Sequence, residues 1–180
     1  GSGGALYNGI VYDSVFSRNR AASGGATYNG TFYRCLVENN VSTGDGGGSY
    51  YGTFYDSIIS NNTASGSGGG SYRGTFHRSH ILQNKASSNG GGVYNGTSYN
   101  SIIVKNTANG SGGGSYSGYN YNCTIVENYA VASGGGTYSG TQYNSIVWNN
   151  KNHYGESNIE SASKYNCYTG DPLFVNASEG

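Results

Sequence analysis

Tyr28-Asn29-Gly30-Thr31-Phe32-Tyr33-Arg34-Cys35-Leu36-Val37-Glu38-Asn39-Asn40 is followed, 22 residues on, by Tyr50-Tyr51-Gly52-Thr53-Phe54-Tyr55-Asp56-Ser57-Ile58-Ile59-Ser60-Asn61-Asn62. The two stretches are variations on one pattern, and the pattern runs through the chain. A glycine two residues after a tyrosine recurs as Gly9, Gly30, Gly52, Gly74, Gly96, Gly118 and Gly140, in steps of 21 and then 22. The tyrosine before it never fails: Tyr7, Tyr28, Tyr50, Tyr72, Tyr94, Tyr116, Tyr138. A fixed period of this length is the signature of a solenoid, in which each repeat covers its neighbour.

Further ranks follow each glycine. Three positions on is a ring (Tyr12, Tyr33, Tyr55, His77, Tyr99, Tyr121, Tyr143). Two more bring a small residue (Ser14, Cys35, Ser57, Ser79, Ser101, Cys123, Ser145), and two more an apolar one (Phe16, Val37, Ile59, Ile81, Ile103, Ile125, Val147). Spacing by two is strand periodicity, so these three ranks are read as one face, directed inward. Three residues later stands an asparagine every time: Asn19, Asn40, Asn62, Asn84, Asn106, Asn128, Asn150. A side-chain amide both donates and accepts, so stacked amides can bond from coil to coil. Glycine runs such as Gly68-Gly69-Gly70 mark corners.

The expected fold is therefore all-β: a parallel β-helix, or β-solenoid, of about seven to eight 22-residue coils. Left-handed β-helices are usually built from hexapeptides and 22 is not a multiple of six, so a right-handed helix is expected. Residues 1–150 supply seven coils; residues 151–180 supply an irregular segment, a partial eighth coil around Tyr165-Asn166-Cys167, and a tail.

Gly3-Gly4-Ala5-Leu6 with Phe16-Ser17-Arg18-Asn19 resembles the GGA[I/L] and FxxN pair of polymorphic outer-membrane proteins and related autotransporter passengers. In later coils the Phe becomes Val or Ile, as in Ile81-Leu82-Gln83-Asn84. Asn144-Ser145-Ile146-Val147-Trp148-Asn149-Asn150, with Gly170-Asp171-Pro172-Leu173-Phe174-Val175, is similar to bacterial surface β-helix proteins that end in an anchoring domain. The resemblance covers nearly the whole chain but rests on scaffold motifs. It implies an extracellular or cell-surface setting and no particular reaction.

Composition narrows the function classes. Net charge is zero and 10% of residues are charged, so no basic face invites nucleic acid. No run of 18 apolar residues offers a membrane helix. Four residues after the glycine, Asp13, Arg34, Asp56 and Arg78 alternate in sign on successive coils, and Lys105 and Glu127 do the same one rank along. This is read as a register device on an exposed face. Cys35, Cys123 and Cys167 share one rank at least two coils apart, about 9.6 Å at strand spacing, beyond disulfide reach. Three buried, unbridged thiols are expected, and no CxxC motif supports a metal site.

No catalytic, cofactor-binding or metal-binding residues are assigned. Glu156 and Glu160, beside His153 in the irregular segment, are the one place where chemistry would be sought, against the plainer reading of a loop covering the last coil. His77 and His80 occupy Tyr and Ile positions of the repeat. The tyrosine ranks suit either packing or a flat strip for sugar rings. Sequons at Asn29, Asn40, Asn61, Asn95, Asn109, Asn122 and Asn176 are candidate glycosylation sites, little more than this composition yields by chance. The functional expectation is a non-catalytic extracellular stalk or filament subunit. Its partners would be copies of itself stacked end to end, or further coils of a longer adhesin, with glycans as a further candidate. The alternative is a β-helix that binds or degrades polysaccharide.

Overall fold

The computed structural model describes residues 1–171, so Asn176 and the segment 172–180 lie outside the described residues. The chain is a β-solenoid with no α-helix among the described residues. Each coil lays down three short strands. In the second coil these are Thr27–Tyr33, Leu36–Glu38 and Val41–Ser42. Equivalent strands stack into three sheets of 11, 7 and 8 strands around one core. The register is the repeat itself: Tyr28 pairs with Tyr50, Thr31 with Thr53, Val37 with Ile59 and Val41 with Thr63. Strand pairing is parallel throughout the described residues, except between Lys151–Asn152 and Gly155–Glu156.

The corners explain why the inward face differs from the expected one. Each coil carries several residues with positive φ that are not glycine: Asn29 (61°), Arg34 (53°) and Asn39 (55°) in the second coil, Tyr51 (64°), Asp56 (51°) and Asn61 (53°) in the third. A single left-handed residue turns the chain and resets the in/out alternation. The inward residues of the second coil are thus Phe32, Cys35, Val37, Asn40 and Ser42, all buried, while Tyr33 beside Phe32 is only half-buried. The small and apolar ranks do point inward. The aromatic rank three after the glycine does not: it lies outside, across the corner from them. The inward ring comes from the preceding residue, as Phe32, Phe54 and Phe76, whose rings stack at 4.8 and 5.4 Å.

The core is one file-by-file cluster of Phe32, Phe54, Phe76, Val37, Ile59, Ile81, Ile103, Ile125 and Val147, flanked by the buried alanines Ala64, Ala86, Ala108 and Ala130. The third corner needs glycine for two reasons. Gly68 has φ of +71°, and a Cβ on the next residue, Gly69, would be driven into the carbonyl of Gly91 in the neighbouring coil.

The seventh coil runs past residue 150, since Lys151–Asn152 pairs with Tyr129–Ala130 in normal register. The chain then turns over in a hairpin. It returns to the first sheet through Ile159–Glu160 and Ser163–Tyr165, both against Thr137–Tyr143. The segment expected to be irregular thus contains three short strands.

Truncating the middle of the phenylalanine stack is expected to cost far more than truncating the outer face. Phe54→Ala should lower unfolding free energy by about 3–5 kcal/mol. Ile58→Ala, in the neighbouring strand but 42% exposed, should cost less than about 1 kcal/mol. Equilibrium urea unfolding of the two variants checks this.

Candidate functional site

The features that recur without exception are ladders, so the ladders are the candidate site. The asparagine ladder is the most complete. The Asn62 side chain is fully buried at the second corner. Its Nδ2 donates to Val37 O at 2.9 Å and to Asn84 Oδ1 at 3.0 Å. Its Oδ1 accepts from Asn40 N at 3.0 Å and Asn40 Nδ2 at 2.9 Å. Two donors and two lone pairs are all used, which is the full capacity of a primary amide. The same four bonds recur at Asn84, Asn106 and Asn128. Burial without cost requires this completeness, because a buried unpaired amide group loses its water with no return.

The ladder is closed from outside the repeat. Asn158, only eight residues beyond Asn150, presents Oδ1 to Asn150 N at 3.0 Å and to Asn150 Nδ2 at 3.1 Å. Asn158 Nδ2 donates in turn to Glu156 Oε1 at 2.7 Å. Glu160 does the same for the glycine corner: Oε2 accepts from Gly134 N at 2.8 Å and Oε1 from Ser157 Oγ at 2.9 Å. In earlier coils the equivalent amide, Gly112 N, finds Ser133 O of the next coil. The two carboxylates of the irregular segment therefore stand in for a missing coil. His153 lies in the exposed hairpin turn with its ring against Tyr154.

Two tyrosine ladders run along the outside of the first sheet. Tyr7, Tyr28, Tyr50, Tyr72, Tyr94, Tyr116 and Tyr138 stack with centroids 4.7–5.4 Å apart and planes within 17°. Tyr12, Tyr33, Tyr55, His77, Tyr99, Tyr121, Tyr143 and Tyr165 form the second, at 4.6–5.0 Å. His77 is a rung of that ladder, and burial there, with Arg78 beside it, lowers its pKa. His80 faces outward between Ile58 and Ile102. Rings stacked face to face show their edges to solvent. Within these files the faces a sugar would need are covered by the neighbouring rungs.

The charge file pairs as the alternation predicts. Arg34 grips Asp13 through two bonds of 2.7 and 2.8 Å, Arg78 grips Asp56 identically, and Lys105 reaches Glu127 at 3.4 Å. The guanidinium hydrogen bonds pull both aspartates below the ordinary carboxylate range. The pairs therefore add stability above the unfolded aspartate pKa and lose it as pH falls through the lowered folded values. Being exposed, they fix register more than they stabilise. From Asn100 onward the file turns to amides, which bond Asn122 to Asn100 and Asn166 to Asn144.

All three cysteines are unbridged. Cys35 and Cys123 are buried, and desolvation raises both thiols, Cys123 to about 11. Cys167 is only partly buried, which corrects the expectation of three buried thiols: it lies in the last described coil, and no other described coil covers it. Of the sequon asparagines, Asn29, Asn61, Asn95, Asn109 and Asn122 are exposed. Asn40 is fully buried and spent on the ladder, so it is a structural amide and not a glycan acceptor. A shallow surface groove lined by Glu127, Asn128, Tyr129, Asn149 and Lys151 lies at the second corner near the last coils.

The ladder's closure by Asn158, Glu156 and Glu160 escaped sequence reasoning because it breaks the period; the spacing carries no signal for it. The sequence matches no protein-family model and no curated protein.

Asn84→Ala would orphan Asn62 N and one Asn62 Nδ2 hydrogen in the interior and remove the side-chain donor to Ile59 O. A loss of about 3–5 kcal/mol is expected, against under about 0.5 kcal/mol for Asn100→Ala on the surface, both read by urea unfolding. In the native protein a thiol reagent should label Cys167 alone. Cys35 and Cys123 should react only after denaturation, as mass spectrometry of labelled peptides would show.

Proposed function

We propose that the chain is a non-catalytic structural solenoid whose function is the stack itself: a stalk or filament segment of the cell exterior. It extends by adding coils, either from copies of itself or from further length of the same chain. The observation that carries this reading is the coincidence of register and open edge at the first coil. Ile10–Tyr12, Val15–Ser17 and Arg20–Ala21 are the outermost strands of the three sheets. Among the described residues each pairs on one side only, with the same in-register partner type that interior strands have on both. Leu6, Val11 and Phe16, which belong to core files, are only partly buried there. An open parallel edge over an apolar end face is a template for another coil. At the opposite end, Ile159–Glu160 and Ser163–Tyr165 of the first sheet and Ile146–Trp148 of the second supply the parallel edges a joint would use. The extracellular setting rests on the resemblance to surface β-helix repeats.

Light scattering and electron microscopy of the chain across a concentration series test the stacking half. Rods that lengthen with concentration are expected, and Val15→Lys with Ile10→Lys, which set charges on the outer faces of the first coil, should shorten them without altering the melting of the interior. A strictly monomeric particle at high concentration would sink the self-stacking version. The non-catalytic half predicts that no oligosaccharide is released from a panel of acidic and neutral polysaccharides.

A further inference from the structure

The residue before the recurring glycine is a left-handed corner. Asn29, Tyr51, Arg73, Asn95, Ser117 and Ser139 hold it with φ between 50° and 64°. Asparagine takes this conformation readily, and the file opens with Asn8 and returns to Asn95. A tyrosine and an arginine do not favour it, yet they occupy adjacent coils. Neither is needed by the interior, since Arg73 is exposed and Tyr51 is 39% exposed. Arg34 and Arg78 hold the same conformation at another corner, so what marks Tyr51 and Arg73 is the contact their side chains make.

Together they build something the rest of the surface lacks. Tyr51 is set across its ladder, at 74° to Tyr50 and 70° to Tyr28, so its ring has no parallel neighbour on either side. Arg73 reaches over from the next coil. Its guanidinium lies 5.7 Å from the Tyr51 centroid and 5.6 Å from that of Tyr72, and its Nη1 donates to the Tyr51 hydroxyl at 2.9 Å. Arg34 and Arg78 have their charge answered by a carboxylate in bidentate contact. Among the described residues no carboxylate ion-pairs with Arg73, and Asp45 of the nearby glycine corner is spent on Ser67 N. The guanidinium is held in place by neutral rings, with its remaining N–H groups unspent.

The geometry points to a binding site for an acidic, carboxylate-bearing polysaccharide at Tyr51 and Arg73. The planar guanidinium matches a carboxylate in two parallel hydrogen bonds. The ring beside it takes the apolar C–H face of a sugar, which the closed ladders refuse. A uronate residue carries both groups on one ring. The site lies on the side of the third and fourth coils, away from both ends, so it goes beyond the stacking reading and does not depend on it.

The test is titration of the full chain with oligogalacturonate, followed by calorimetry and by NMR. The fully methyl-esterified oligomer and dextran sulfate serve as comparisons. Saturable binding is expected, at least tenfold weaker for the methyl ester and for Arg73→Asn, and several-fold weaker for Tyr51→Asn. Both variants install the residue the file carries at Asn29 and Asn95, so their thermal midpoints should be unchanged or higher, and lost binding cannot be laid to unfolding. Absence of saturable binding would overturn the proposal, as would equal affinity in the variants. Dextran sulfate binding as tightly as oligogalacturonate would overturn it in favour of plain charge attraction.

Discussion

Every stabilising feature of this molecule depends on one constraint: a residue must lie over its counterpart in the next coil at the spacing of hydrogen-bonded strands, about 4.8 Å. At that distance a phenol meets a phenol face to face, an amide meets an amide at bonding distance, and an aspartate meets an arginine fork to fork. None of these contacts is strong alone in water. They become cooperative because a one-residue slip in any coil would break all of them together. The price is that composition is dictated by position, which is why 33 glycines and 19 tyrosines stand where they do.

The period, the parallel stacking, the asparagine ladder and the charge pairing were legible in the sequence because each is a statement about residues 22 apart. The inward face was only partly legible. Alternation by two holds only within a strand, and single left-handed residues such as Arg34 and Asn39 reset it at each corner. Arginine, aspartate, lysine and glutamate are not the residues by which such a corner is recognised, so the tyrosine rank at Tyr33 was assigned to the side that Phe32 occupies. The closure by Asn158 was invisible for the opposite reason: it is local chemistry with no repeat to announce it.

The interior shows how a repeat absorbs variation. The phenylalanine file gives way after Phe76 to Ser98, Asn120 and Gln142, all buried. Beside it on the same sheet, the file of Thr27, Ser49 and Ser71 becomes Val93 at the coil where the ring is lost. The apolar bulk lost from one file is thus partly restored in the neighbouring file of the same wall. Beyond that coil this file is polar: Asn120 Nδ2 donates to Gln142 Oε1 at 2.8 Å, but Gln142 Nε2 is buried with no partner among the described residues, so the pair lacks the completeness of the corner ladder. The first-sheet wall of the core is thus aromatic at Phe32, Phe54 and Phe76 and polar at Ser98, Asn120 and Gln142, while Ile103, Ile125 and Val147 keep the second-sheet wall apolar.

The asparagine ladder also has a direction, and this bears on how coils can be added. Each amide donates toward the following coil and accepts from the preceding one. At the last rung the donors of Asn150 are already met by Asn158, and Asn158 spends its own on Glu156 and on Thr169 O. At the first rung, Asn19 Oδ1 receives no bond from any described residue, while its Nδ2 is satisfied by Asn40 and Ser17 O. The ladder is closed at one end and open at the other. A joint between two copies could not continue it, because the closing end has no donor left to give. Such a joint would be carried by the outer edges of the first and second sheets, where the strand pairing is still parallel, whereas further coils ahead of Asn19 in the same chain would extend the ladder directly. The second corner, and not the tyrosine face, is therefore where the two routes to a longer solenoid differ.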